Sequence, residues 1–342
     1  MAGPYIPTPF ASPVILPQVG SVGASPLAYI SNSEYQFAPT AMSVGQLVPG
    51  GTALDQQRAL ADVLRRASRW ADNICFGADP AGKASLAASV SVESQWARVV
   101  RGELRLFCDY RPTEVLGIDV GAGPTSTVTV GATSAAKVRV GRRTVVVPIT
   151  AGFIFRTGDT PGQSPWGGSV GRIYAVWSYV FGYPHTKLTT SVASGATTCV
   201  VTSTDGSGGL WGVYAGSGSF LGTQLQIIDG PKTETVAVKG IAKGTATTTL
   251  TTSPFRFAHT VPELPDFIPA TALPEDIHQA CITLASMVIK TSRGSRTLEM
   301  PKTPGAAPDR ARLAQAGAMG NWENAVAILH PYGVRQKLAK VI

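Results

Sequence analysis

From Gly51 to Phe76 the apolar residues Leu60, Val63, Leu64, Ala67, Trp70, Ala71 and Ile74 recur every three or four positions. Arg58, Asp62, Arg65, Arg66, Arg69 and Asp72 fall on the other side. That period predicts an amphipathic helix. Thr52 can cap it with Asp55 in the return position of a capping box, and Gly77 marks its end. A second stripe, Ile277, Ala280, Cys281, Leu284, Met287 and Val288, runs through Leu273 to Gly294. It opens on Pro274, Glu275 and Asp276 and closes on Lys290 and Arg293, the charge order that a helix dipole favours. The two stripes predict helices over 53–76 and 273–293 that pack on each other. A one- or two-turn helix is predicted over Ser31 to Thr40, capped by Ser31 or Ser33 and stopped before Pro39. A further helix is predicted over Pro308 to His330, striped by Trp322, Ala325, Val326 and Leu329, weakened by Gly317 and Gly320, and stopped by Pro331.

Between the long helices the period changes to two. Leu104, Leu106 and Cys108 alternate with Glu103, Arg105 and Phe107 beyond Arg101-Gly102, a hairpin signature. Val138 and Val140 face Val145 to Val147 across Gly141-Arg142-Arg143 as a second hairpin. An aromatic strand, IYAVWSYVFGYP, precedes short Thr- and Val-rich runs separated by turns, the pattern of a small β-sandwich or barrel. Pro262 to Pro274 has the composition of a linker leading back to the second helix. The expected class is α+β: a small helical bundle, a large inserted β-rich region and an extended N-terminal arm. The segments are 1–30 (arm), 31–80 with 270–342 (helical) and 81–269 (β-rich).

Composition adjusts this picture in three places. Pro4, Pro7, Pro9, Pro13, Pro17 and Pro26 exclude a helix or central strand near the N-terminus. An arm ordered by a neighbour and a terminus ordered by nothing both fit. The net charge of +8 has no basic run of five or six residues behind it, so nucleic-acid binding is a weak reading of the charge. Cys75, Cys108, Cys199 and Cys281 are far apart, with Cys75 and Cys281 in helix stripes, which favours buried thiols over a disulfide framework or zinc site. The N-terminus lacks a basic n-region and a continuous apolar core, and no apolar run is long enough to span a membrane.

Catalytic signatures are lacking. His185, His259, His278 and His330 share no ligand spacing, and surface or cap roles are expected for His259 and His278. The loop Gly152 to Gly171 has no GK[ST], no GxSxG elbow is present, and Gly206-Ser207 and Gly216-Ser217 read as turns. Asp229 and Glu234 are the nearest strand-adjacent carboxylate pair; Asp229-Gly230 reads as a turn and Glu234 as facing solvent or a strand partner. Trp166, Trp177, Tyr179, Phe181 and Tyr183 could form a sugar platform, but alternate positions 177 to 183 more simply cover one face of a strand.

Several of these stretches together resemble the head-to-tail adaptor (connector) proteins of tailed bacteriophages, in particular those of actinobacteriophages. They are YISNSEYQFAPTA with the capped helix after it, SLAASVSVESQWARVVRGELRLFCDYRPTEVLGIDVG, GRRTVVVPI, TQLQIIDGPKTETVAVKG with TSPFRFAH, and LPEDIHQACITLASMVIKTSRG. The resemblance implies a structural virion protein with no catalytic site, cofactor or metal. It implies a homo-oligomeric ring, a dodecamer, between the portal protein and a tail-side connector or terminator protein. DNA would pass through the ring without sequence-specific binding, and the ring, assembled in the host cytoplasm, would sit at the head-tail junction of the virion. The long arm and middle region depart from small members of the family. A tail terminator, a minor capsid or tail protein, and a carbohydrate-binding tail module are therefore the alternatives. Arg58, Arg65, Arg66 and Arg69 are the candidate interface residues, spaced for carboxylate pairing with a neighbour; a solvated helix face is the other reading.

Overall fold

The computed structural model describes residues 27–45, 47–76, 85–100, 103–121, 127–129, 139–140, 144–148, 172–202, 224–243, 246–292, 313–314 and 317–333. The protein is mixed α+β, with four α-helices and antiparallel sheets among these residues.

Helix α1 (Asn32–Phe37) starts at Ser31, whose hydroxyl accepts the Glu34 N–H at 3.1 Å, and ends before Pro39. Helix α2 (Ala53–Phe76) has the predicted capping box. Thr52 Oγ1 accepts the Asp55 N–H at 3.2 Å, and Asp55 Oδ2 accepts the Thr52 N–H at 3.0 Å. All seven residues of its predicted stripe are buried. They face α3 (Glu275–Ser292) and α4 (Met319–Leu329). Trp70 and Trp322 meet edge to face at 5.6 Å where α2 crosses α4. Helix α3 carries more than a stripe: Ile282, Ala285 and Ile289 are buried together with the six predicted positions, as expected of a helix enclosed on several sides. The segment predicted as one helix over 308–330 is interrupted. Gly317 has φ of 62°, and its N–H and that of Ala318 close a turn onto Ala314 and Leu313 before α4 begins.

The first sheet contains β1 (Ser89–Val100), β2 (Glu103–Phe107), β3 (Pro112–Gly121), β4 (Thr127–Thr129), β5 (Arg139–Val140), β6 (Thr144–Pro148) and β7 (Arg172–Phe181). Their order is β4-β3-β7-β1-β2-β6-β5. Both predicted hairpins are present, with Val99 opposite Leu104 and Val140 opposite Val145. The sheet curls until β5 and β6 approach β3, and Leu104, Leu106, Val145, Ile173 and Trp177 fill its inside.

The second sheet contains β8 (His185–Lys187), β9 (Thr198–Thr202), β10 (Gln224–Ile227), β11 (Glu234–Lys243), β12 (Thr247–Thr252) and β13 (Pro269–Thr271), in the order β8-β13-β10-β11-β12-β9. It also curls: Leu188 bridges Val201, and the Thr189 N–H reaches the Val200 carbonyl at 2.9 Å, bringing the two edges together. Thr248, Leu250 and Thr252 point inward and the threonines between them outward, the period of two expected of a half-buried strand.

Two sequence expectations need correction. The Pro262–Pro274 segment is more than a linker, because Pro269–Thr271 is a buried strand between β8 and β10. Proline is tolerated there as the first residue of the strand. Tyr183 does not continue the aromatic face of β7. Gly182 takes φ of 84° beneath the carbonyls of Leu86 and Ala87, where a Cβ would lie 2.7 Å from the nearer oxygen. The chain turns there, and Tyr183 packs against the helical core instead.

Candidate functional site

The predicted arginines are carried by α2. Its apolar stripe is taken up by α3 and α4, so the opposite face is left outward. Arg58, Arg66 and Arg69 are exposed there, while Arg65 is partly buried and pairs with Asp62, one turn earlier, and donates Nε–H to the Ala61 carbonyl at 3.4 Å. Arg65 is the one member of the four in an ion pair among the described residues. An exposed i,i+3 pair of this kind contributes little stability. The face therefore has guanidinium groups available to a partner, and the fold does not depend on them.

Sequence spacing missed three polar clusters, each built by partners remote along the chain. His259 is fully buried, not at the surface. Its Nδ1 lies 3.0 Å from Asp229 Oδ2 and its Nε2 2.9 Å from Glu234 Oε1. Glu234 also accepts the N–H groups of Arg256 at 2.7 Å and Phe257 at 2.9 Å. Burial acts to raise the Glu234 carboxyl, but these two N–H groups and the ring outweigh it and hold the group below the ordinary glutamate value. Of the two expectations, solvent or a strand partner, Glu234 meets neither: it turns to His259 and to the Arg256 and Phe257 N–H groups. Asp229-Gly230 does open a turn, a 3-10 segment over Gly230–Lys232. Both carboxylates hold one imidazole, so this pair clamps the 253–261 segment onto the turn between β10 and β11.

His278 is likewise buried, correcting its expected surface role. Its Nδ1 lies 2.7 Å from Glu34 Oε1 and joins α3 to α1. The third cluster lies where the chain enters the described region. Tyr29 is buried; its N–H bonds to Ser68 Oγ at 2.9 Å, and its hydroxyl reaches Asp72 Oδ1 and, at 2.8 Å, Ser85 Oγ. Asp72 Oδ1 also accepts the Leu86 N–H at 2.8 Å. Burial pushes the Asp72 carboxyl up to about 7 against the lowering effect of these hydrogen bonds. His185 packs edge-on against Tyr29 at 5.4 Å. Its Nε2 donates to the Ala28 carbonyl at 2.9 Å, while Nδ1 faces Thr271 Oγ1 at 3.0 Å. Burial holds this imidazole neutral, down to about 3.

The cysteines are buried, and burial pushes the Cys75, Cys199 and Cys281 thiols up, away from nucleophilic character. Trp177, Tyr179 and Phe181 are buried inside the first sheet and offer no sugar platform. Trp166, the Gly152–Gly171 loop, the 206–207 and 216–217 turns, residues 1–26 and the Gly77 helix end lie outside the described residues. Among the described residues no three His, Cys, Asp or Glu side chains converge as a metal site, and no helix is long and apolar enough to cross a membrane. Compared with models of protein families, with curated proteins and with solved structures, the chain matches none.

Proposed function

We propose that this chain is a structural virion protein, a head-to-tail adaptor that forms a homo-oligomeric ring beneath the portal and joins the DNA-filled capsid to the tail. The observation that carries the reading is the outward display of side chains suited to contacts between proteins. Val92, Trp96 and Phe107 stand exposed on a regular sheet face, and Arg58, Arg66 and Arg69 on a helix face. Exposed aromatic and arginine residues are the types enriched at protein interfaces. The bundle of α2, α3 and α4, with α3 opened by Pro274, supports the same reading through its resemblance to the late helix of the adaptors. In a ring each copy would present two different faces to its two neighbours, and rotation would close the set. The arginine face would meet acidic groups of the portal or of another neighbour. DNA would slide past without being held, since tight phosphate contacts would oppose its passage.

Electron microscopy of the purified protein and of the parent particle tests this. Closed rings, together with DNA-filled heads that fail to gain tails when the chain is missing, are the expected result. A chain that stays monomeric, and whose loss leaves tail joining intact, overturns the proposal. Saturable binding in a glycan screen without ring formation would replace it with the carbohydrate-binding tail module.

A further inference from the structure

We propose that residues 1–26 of a neighbouring copy dock on the outer face of the seven-stranded sheet, over Trp96, Tyr174 and Phe107. The proposal rests on the assembly reading for the presence of a neighbour, and the face itself is independent of it. On β1 the side chains of Val92, Ser94 and Trp96 point away from the sheet core: Val92 is 51% exposed and Trp96 50%. Trp96 pairs in register with Tyr174 on β7, and the two rings meet edge to face at 5.3 Å. Phe107, outward on β2, is 60% exposed. The same strands bury Ala97, Leu104 and Leu106 on their other side, so the exposed rings belong to a regular, supported surface. A cluster of this kind on one sheet face marks an interaction site more than scattered exposure would. Beside Phe107, Arg105 lies 3.7 Å from Glu103, so the charges on this strand balance each other.

The occupant is argued from chemistry and reach. Residues 1–26 contain no Asp, Glu, Lys, Arg or His, and hold Pro4, Pro7, Pro9, Pro13, Pro17 and Pro26 together with Tyr5, Ile6 and Phe10. Proline-rich segments lose little entropy on docking and lie well against exposed aromatic rings. The segment is followed by Ala28 and Tyr29, both fixed by hydrogen bonds. Extended at about 3.1 Å per residue it would span roughly 80 Å. A compact chain of this length is roughly 50 Å across. The segment can therefore leave its own subunit and reach the same face on the next.

The test uses the full chain with a photo-crosslinking phenylalanine analogue at position 10, mixed with isotope-labelled copies of the same chain. Mass spectrometry of the crosslinked peptides identifies the target, and mass photometry of the same sample reports assembly. Mixed-isotope crosslinks from residue 10 into the 92–107 region are expected. Their yield should fall at least about tenfold in a Trp96→Ser, Phe107→Ser variant, the size expected from loss of two aromatic contacts. Both positions face outward, so an unchanged thermal melt shows that the variant is folded. Crosslinks confined to one isotope, or directed elsewhere, overturn the proposal. Rings with crosslinks elsewhere refute the docking alone; mixed crosslinks into 92–107 without rings refute the adaptor reading alone.

Discussion

Acid should weaken this protein through His185, and the size of the effect follows from its surroundings. The ring is buried between Ala28, Tyr29 and Thr271. Its Nε2 must carry the proton, because the Ala28 carbonyl can only accept, and its Nδ1 can accept from the Thr271 hydroxyl. The neutral ring has a partner at each nitrogen, and a second proton would place a charge where, among the described residues, no carboxylate reaches the ring nitrogens. The folded value is depressed to about 3, against an ordinary value of 6.5. The contribution is therefore complete above pH 6.5 and is lost as pH falls toward 3. Linkage gives a loss of about 2 kcal/mol near pH 5 and about 3 kcal/mol near pH 4. Asp72 works the other way. Its folded value is raised to about 7, so its carboxylate opposes folding at neutral pH and the opposition fades as pH drops. The raw stability curve mixes the two, and the proper readout is a difference. Urea titrations at steps from pH 7.5 to 4 should be run on the natural chain and on His185→Gln. The amide of Gln can donate to Ala28 and accept from Thr271 without titrating. The gap between the two chains should shift in favour of the variant by about 2 kcal/mol between pH 7 and pH 5. A constant gap across that range would refute the assignment of a buried neutral histidine.

Leu284→Ala, at a fully buried position of α3, should cost about 2–5 kcal/mol in urea titration; a cost near zero would show that the α2 and α3 stripes do not share a core. Glu234→Gln should cost about 1–3 kcal/mol by weakening the hold on His259 and the 256–257 backbone, with the 253–261 amides exchanging hydrogen faster; unchanged exchange would refute the clamp. Because the folded value of Glu234 is lowered, its contribution is present above the ordinary glutamate pKa and disappears as pH falls below it, so the variant should lose part of the acid sensitivity of the natural chain. Reversing Arg65 and Arg66 together to Glu should change stability by about 0.5 kcal/mol or less while reducing tail attachment; particles that join tails at the normal rate would leave this face a solvated surface.

The features legible in the sequence were those whose determinants are local. The stripe of α2, its Thr52–Asp55 box, the Ser31 cap and the two hairpins depend on residues within a turn or two of one another, and each was readable as period or cap chemistry. The polar clusters were hidden because their partners are far apart in sequence: Glu34 and His278, Glu234 and His259, Ala28 and His185. Strand β13 was hidden differently. Three residues starting on proline carry no usable period, and their strand identity comes from the neighbours β8 and β10. Tyr183 could have been separated from the face of β7 on one signal, the glycine before it. The arginine face was legible as exposed, because α2 buries the opposite stripe, but a helix face says nothing about what meets it.

The bonds of Ala28 and Tyr29 tie together parts of the fold that are remote along the chain. The Tyr29 N–H and hydroxyl engage α2 through Ser68 and Asp72, while the hydroxyl and Asp72 together fix Ser85 and Leu86 just before β1. One residue earlier, the Ala28 carbonyl is held by His185 at the start of β8. Residues 28 and 29 therefore bond to the helical bundle, to the entrance of the first sheet and to the second sheet at once. Withdrawing residues 28 and 29 together would leave the buried His185 Nε2–H without its acceptor and take the Tyr29 hydroxyl from Asp72, which keeps the Leu86 N–H, while the Ser68 hydroxyl keeps its bond to the Leu64 carbonyl. The buried N–H left without an acceptor carries a desolvation cost, which holds residues 28 and 29 in place. If residues 1–26 dock on a neighbouring copy as proposed, the pull reaches residues 28 and 29, which are bonded to the helical bundle and to both sheets of their own subunit.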